Sequence, residues 1–159
     1  MRRIIAIAAA LAICGLAGAV PQAAAAPDQG RHCAVSLDTG VRQCFATSAE
    51  AEDVVAASVM VVKLYDDVEF RQGTSDWDTS IYYRATACTA TYADTELVVN
   101  LGPLEVNRAS SVQTFNMCDI KLYDGGSLTG ASSVWIDQAR NLANIGTGWS
   151  NRANSFKLS

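Results

Sequence analysis

Histidine is almost absent: His32 stands alone in 159 residues. A Ser-His-Asp or Cys-His arrangement thus has a single candidate base, expected at the flexible start of the mature chain, and no enzyme is expected. There is no C-x-x-C pair, which with one histidine argues against a zinc site. There is also no Gly-rich phosphate loop before a helix, since "YDGGSLTG" lies in a hairpin pattern and lacks the lysine. Basic charge is scarce. Of 12 basic residues two, Arg2 and Arg3, belong to the expected leader, so 12 − 2 = 10 remain against 16 acids, a balance of −6. That disfavours nucleic acid and anionic membranes as partners. The acids are scattered, as on a solvated surface, and suggest no glycosidase pair.

What is present first is an export signal. Arg2 and Arg3 precede an apolar run from Ile4 to Val20, and Ala23 and Ala25 satisfy an A-x-A cleavage rule. Residues 1–26 read as a signal peptide that is removed, leaving a secreted, extracellular chain starting near Pro27 without stable membrane insertion. Without Cys14, the four cysteines Cys33, Cys44, Cys88 and Cys118 allow two disulfides in three pairings. Sequence alone does not choose among them. Proximity favours Cys33 with Cys44, because "CAVSLDTGVRQC" reads as a hairpin around Asp38-Thr39-Gly40, and Cys88 with Cys118 follows. The mature chain is long enough for one domain with a real core.

Residues 47–58 carry helix signals: Thr47 or Ser48 as cap, then Glu50, Glu52 and Asp53 in the first turns. Beyond residue 58 short runs of Val, Tyr, Thr and Phe alternate with Gly, Asn, Asp and Ser, the texture of an all-β domain. That part is written twice. Lys63-Leu64-Tyr65-Asp66 matches Lys121-Leu122-Tyr123-Asp124 at an offset of 58, and Trp77 matches Trp135 at the same offset. Gly102, Asn107-Arg108-Ala109 and Ser111 match Gly146, Asn151-Arg152-Ala153 and Ser155 at an offset of 44. The 14-residue difference places an insertion near residues 80–96, carrying Cys88. Two small β units that cannot bury a sheet face alone must pack on each other as a sandwich. On the first strand, Val62 and Leu64 are expected inside and Lys63 outside. Trp77 and Trp135, at equivalent positions, are expected in the core and not on a sugar-binding platform, and Trp149 is the third tryptophan.

"LYDGGSLTG" followed by "GWSNRANSFKL" resembles the βγ-crystallin Greek-key repeat. Tyr123 to Gly130 fits its opening of an aromatic, six residues and a glycine, whereas Tyr65 to Gly73 has one residue too many, which implies a bulge or rearranged hairpin. The likeness covers about residues 60–159 and implies an all-β, βγ-crystallin-like sandwich of two Greek-key motifs. The disulfide-closed hairpin and short helix (27–58) would precede a domain at 59–159, with keys at about 60–117 and 118–159. The Cys-bracketed N-terminal hairpin and helix are similar to the segment that precedes the domain in small exported actinobacterial proteins of this class. The resemblance also implies calcium, held by Asn/Asp-Asn/Asp-x-x-Ser/Thr-Ser loops. The weak candidates for it are Asn107, Arg108 and Ser110 in one loop and Asn151, Arg152 and Asn154 in the other. Val106 and Ser150 replace the first Asn/Asp, and no carboxylate remains, so calcium binding is expected to be weak or vestigial and no cofactor is required.

The leading expectation is a secreted structural or binding module. The alternative is an inhibitor of an extracellular protease, since streptomycete metalloproteinase inhibitors share this fold class. It would act through the loop at 78–96 with Tyr82, Tyr83 and Arg84 as anchors. A third reading, an exported toxin, finds no cationic or strongly amphipathic segment to support membrane attack.

Overall fold

The structure is a computed structural model that describes residues 31–73 and 75–159. The expected signal peptide, its cleavage site and Cys14 lie outside the described residues. Strands β1 (His32–Ser36) and β2 (Arg42–Phe45) form the N-terminal hairpin, followed by helix α1 (Ser48–Val55). Then come β3 (Val59–Tyr65), β4 (Thr79–Arg84), β5 (Leu97–Asn100) and β6 (Ser111–Thr114). The chain ends in β7 (Ile120–Tyr123), β8 (Gln138–Ala139) and β9 (Ser155–Leu158).

The strands form two sheets, ordered β2-β1-β4-β3-β6-β8 and β5-β9-β7. Each copy of the repeat lends a strand to the other's sheet. β5, from the first copy, pairs with β9, and β8, from the second, pairs with β6. This interlock is how two Greek keys close one sandwich. The larger sheet reaches six strands because the N-terminal hairpin joins it through parallel pairing of β1 with β4. Between the sheets Leu64, Tyr82, Val112, Leu122, Phe156 and Leu158 are fully buried, with Tyr82 edge-on to Phe156 at 5.2 Å.

Local rules set the helix. Thr47 is its N-cap, accepting from Glu50 N–H while the Glu50 side chain accepts from Thr47 N–H, a complete capping box. Its buried face, Ala51 and Val55, packs on Ala34 and Ile81, over the outer side of the larger sheet. For that reason Lys63 is not the exposed residue expected from strand alternation. It is buried, and its ammonium donates to Glu52 of the helix at 2.6 Å.

Both disulfides pair as expected, Cys33 with Cys44 across the hairpin and Cys88 with Cys118. The insertion is not one block. Asp66 N–H bonds Asp78 C=O, twelve residues on, whereas Asp124 N–H bonds Ala131 C=O, seven on. So five of the 14 extra residues sit in the hairpin before β4, and nine follow it. The Trp77–Trp135 match at an offset of 58 is accordingly a coincidence of sequence: Trp77 is fully buried, and Trp135 is not in the core.

Candidate functional site

The residues expected to hold calcium do meet, at one end of the sandwich. Each hairpin folds over with two consecutive left-handed residues, Glu69 and Phe70 in the first copy, Ser127 and Leu128 in the second. A serine pins each fold. Ser111 Oγ accepts from Phe70 N–H at 3.2 Å and donates to Asp67 C=O at 2.5 Å. Ser155 Oγ accepts from Leu128 N–H at 3.0 Å and donates to Gly125 C=O at 2.6 Å. These partners reproduce the offsets of 58 and 44 atom for atom, so the duplication is structural as well as textual.

The two Asn-Arg-Ala loops then cross. Asn107 N–H bonds Ala153 C=O and Asn151 N–H bonds Ala109 C=O, each at 2.9 Å. Asn107 and Asn151 are the left-handed residues of their loops, a conformation asparagine tolerates better than most. Their side-chain oxygens are occupied within the pair. Asn107 Oδ1 accepts from Asn154 Nδ2 at 2.9 Å, and Asn151 Oδ1 accepts from Ser110 Oγ at 3.2 Å. Ser110 is buried, and Asn154 Nδ2 also donates to Asp124 C=O.

Positive charge at this end comes from arginine. Arg152 Nη2 lies 2.8 Å from Asp124 Oδ2, and its guanidinium stands 4.6 Å from the centre of Trp149. Arg108 Nη2 lies 3.0 Å from Asp66 Oδ2 and 2.7 Å from Asp76 Oδ1, with Trp77 beneath it at 5.5 Å. The hydrogen bond from Arg152 holds the Asp124 carboxyl below its ordinary pKa, and Arg108 does the same for Asp76. A hard cation wants six to eight free oxygens, some charged. Here the Asn107 and Asn151 amide oxygens already accept from Asn154 Nδ2 and Ser110 Oγ, and Asp66, Asp76 and Asp124 already face guanidinium groups. Among the described residues no three of His, Cys, Asp and Glu cluster as metal ligands.

The expected inhibitory residues fall elsewhere. Tyr82 is fully buried, its phenol pushed well above its ordinary pKa by burial, and cannot anchor a partner. Tyr83 packs half-buried against the helix cluster, and Arg84 pairs with Glu96 at 3.3 Å. All three belong to β4, because the strand begins at Thr79 and runs through what was expected to be a loop. The exposed stretch is 85–95. It is tied by Cys88–Cys118 and by Ser159 Oγ donating to Thr91 C=O at 2.9 Å, and Tyr92 stands 69% exposed on it.

Two buried groups were not foreseen as paired. His32 is on β1, not on a flexible terminus: Nδ1 lies 3.0 Å from Thr79 Oγ1 and Nε2 lies 3.5 Å from Asp78 Oδ2. Burial lowers its pKa, and Asp78 opposes that in part. Glu105 has no exposed surface. Its Oε1 accepts from Arg42 and, at 2.6 Å, from Ser80 Oγ, which in turn accepts from Trp77 Nε1 at 3.0 Å. Arg42 comes from the N-terminal hairpin, so this network ties it to the sandwich. A signal for Glu105 did exist: at the offset of 44 it aligns with the core residue Trp149.

No family model and no curated protein matches the chain. Among solved structures, a βγ-crystallin domain from Flavobacterium johnsoniae is 18% identical with a TM-score of 0.42, over 62% of this chain and 93% of that one. A double mutant of a βγ-crystallin domain from Clostridium beijerinckii is 13% identical with a TM-score of 0.38, over 62% and 94%. The βγ-crystallin-like character of this fold stands on its own interlocked strands and duplicated serine and arginine bonds.

Proposed function

We propose that this chain is a secreted, disulfide-stabilised βγ-crystallin-like binding module in which the calcium positions are vestigial and arginine–aspartate pairs close the loops. The observation that carries this is the symmetric placement of Arg108 on Asp66 and Arg152 on Asp124, with Asn107 Oδ1 and Asn151 Oδ1 already accepting from Asn154 and Ser110. Two disulfides suit an oxidising compartment. No helix among the described residues is long and apolar enough to cross a membrane. Amide hydrogen exchange of residues 106–111 and 150–155 tests the reading. Protection is expected to be the same with calcium and with chelator, and to fall in Arg108→Ala and Arg152→Ala. Protection that depends on calcium refutes it.

A second reading, inhibition of an extracellular protease, is favoured by one observation: segment 85–95 is tied down at Cys88 and Thr91 and presents Tyr92. A preorganised loop loses little entropy when it enters a cleft. Its test is a protease panel titrated with wild type and Tyr92→Ala. Inhibition lost in the variant supports it, and no inhibition by wild type removes it.

A further inference from the structure

Trp135, displaced from the core, stands on the outer face of the three-stranded sheet. Phe156, Leu158, Ile120 and Ile136 all point inward and are buried, and Ile136 bridges Ile120. Alternation therefore turns Lys157, Lys121 and Trp135 outward. Register sets Val98 opposite Lys157 and Lys157 opposite Lys121. The Lys157 ammonium lies 4.9 Å from the centre of the Trp135 ring and 2.9 Å from Thr95 Oγ1. The Tyr92 ring, from the tied segment, is 6.3 Å from Trp135. Val98 and Tyr92 are 48% and 69% exposed, so the face is open.

The charge on this face is unusual for the molecule. The sequence has three lysines, Lys63, Lys121 and Lys157, and two of them oppose each other here although acids outnumber bases. Like charges directly across neighbouring strands destabilise a sheet. Neither lysine makes an ion pair with a carboxylate among the described residues; Lys63, by contrast, has Glu52. A ligand carboxylate between them would relieve that repulsion, and aromatic rings beside it offer apolar faces to the C–H side of a sugar ring. Asp119 and Asp137, flanking the Ile120–Ile136 bridge, sit at one end of the same face and confine the positive patch to the lysine pair.

We infer that this outer sheet face is a binding surface for acidic, uronate-containing glycan, with Trp135 and Tyr92 as stacking residues and Lys121 and Lys157 as carboxylate partners. The inference deepens the binding-module reading and rests on it for an extracellular setting. The probe is an oligogalacturonide titrated into the mature, oxidised protein with chelator present, followed by tryptophan emission. Trp77 and Trp149 are buried, so a change reports on Trp135.

Saturable binding is expected. It should weaken at least about tenfold in Trp135→Leu, through lost stacking, and about tenfold in Lys121→Gln/Lys157→Gln, with a matching fall as salt rises. Thermal melts of each variant separate lost binding from lost fold, and the lysine variant, on the surface, keeps the test open if Trp135→Leu does not fold. No binding by wild type, binding unchanged in the folded variants, or equal binding of a neutral glucan or a single-stranded oligonucleotide overturns the inference.

Discussion

Removing Arg42 isolates a buried carboxylate. Glu105 is fully buried, and its Oε1 accepts from Arg42, Ser80 and, at 3.4 Å, Tyr82, while Oε2 has no hydrogen-bond partner among the described residues. Breaking a buried ion pair by deleting one partner costs about 3–5 kcal/mol, because the remaining charge stays desolvated. The Arg42 side chain is 27% exposed, so water can enter where it leaves, and the lower end of about 3 kcal/mol is expected for Arg42→Ala. For a chain of this size that is a fall of roughly 10 °C in melting midpoint. Glu105→Gln in the Arg42→Ala background removes the uncompensated charge while leaving an oxygen for Ser80. It should recover at least about 1 kcal/mol, so the two changes are not additive. Urea unfolding with disulfides intact, on wild type, both single variants and the double, gives the four free energies. An Arg42→Ala cost under about 1 kcal/mol, or strict additivity with Glu105→Gln, would refute the claim that this pair holds the hairpin to the sandwich.

Three further outcomes follow from named groups. His32 has a folded pKa below its ordinary 6.5, first because of burial, so the unfolded chain binds its proton more readily. Its contribution to stability is complete above that value and is lost as pH falls through it. The urea midpoint should drop between pH 7.5 and pH 5, less steeply in His32→Gln, and equal slopes would contradict the assignment. Ser111→Ala and Ser155→Ala each strand one buried or half-buried donor and one acceptor, for about 1–3 kcal/mol apiece. Chemical denaturation should find the two costs alike within about 1 kcal/mol, whereas a negligible cost at one site would mean that the copies are not equivalent. Replacing both members of Cys88–Cys118, which closes a 30-residue loop, should cost up to about 3.6 kcal/mol, against about 2.8 kcal/mol for Cys33–Cys44 with a separation of 11. Calorimetry that ranks them in the opposite order would count against the chain-entropy account.

Local and repeated features were legible in the sequence, and long-range ones were not. The capping box at Thr47 and Glu50 depends on residues three apart, and the duplicated Ser and Arg motifs announce themselves by recurrence. Of the three pairings open to Cys33, Cys44, Cys88 and Cys118, proximity within one hairpin pointed to the one observed. Lys63 misled because strand alternation gives two faces without saying that α1 covers the second. His32 and Asp78 meet only through the parallel pairing of β1 with β4, a contact across 46 residues with no local trace. Trp135 lies outside the core because the insertion is split, which shifts the spatial offset past the hairpins from 58 to 53, as Asp78 and Ala131 show. Tyr82, expected in a loop, lies in strand β4. At the candidate site the residues named for calcium do meet, but the carboxylate partners of their arginines lie 28 and 42 residues upstream, Asp124 for Arg152 and Asp66 for Arg108.

The central claim is that the crossed loops are closed by arginine and not by calcium. A thermal melt of the mature, oxidised protein in excess calcium and then in chelator tests it most directly. A ligand selective for the native state at 100-fold excess over its dissociation constant adds about 2.7 kcal/mol, several degrees in midpoint. The account predicts the same midpoint in both conditions, with a fall in both for Arg108→Ala/Arg152→Ala. A midpoint several degrees higher in calcium would contradict it and make the ion the closing element.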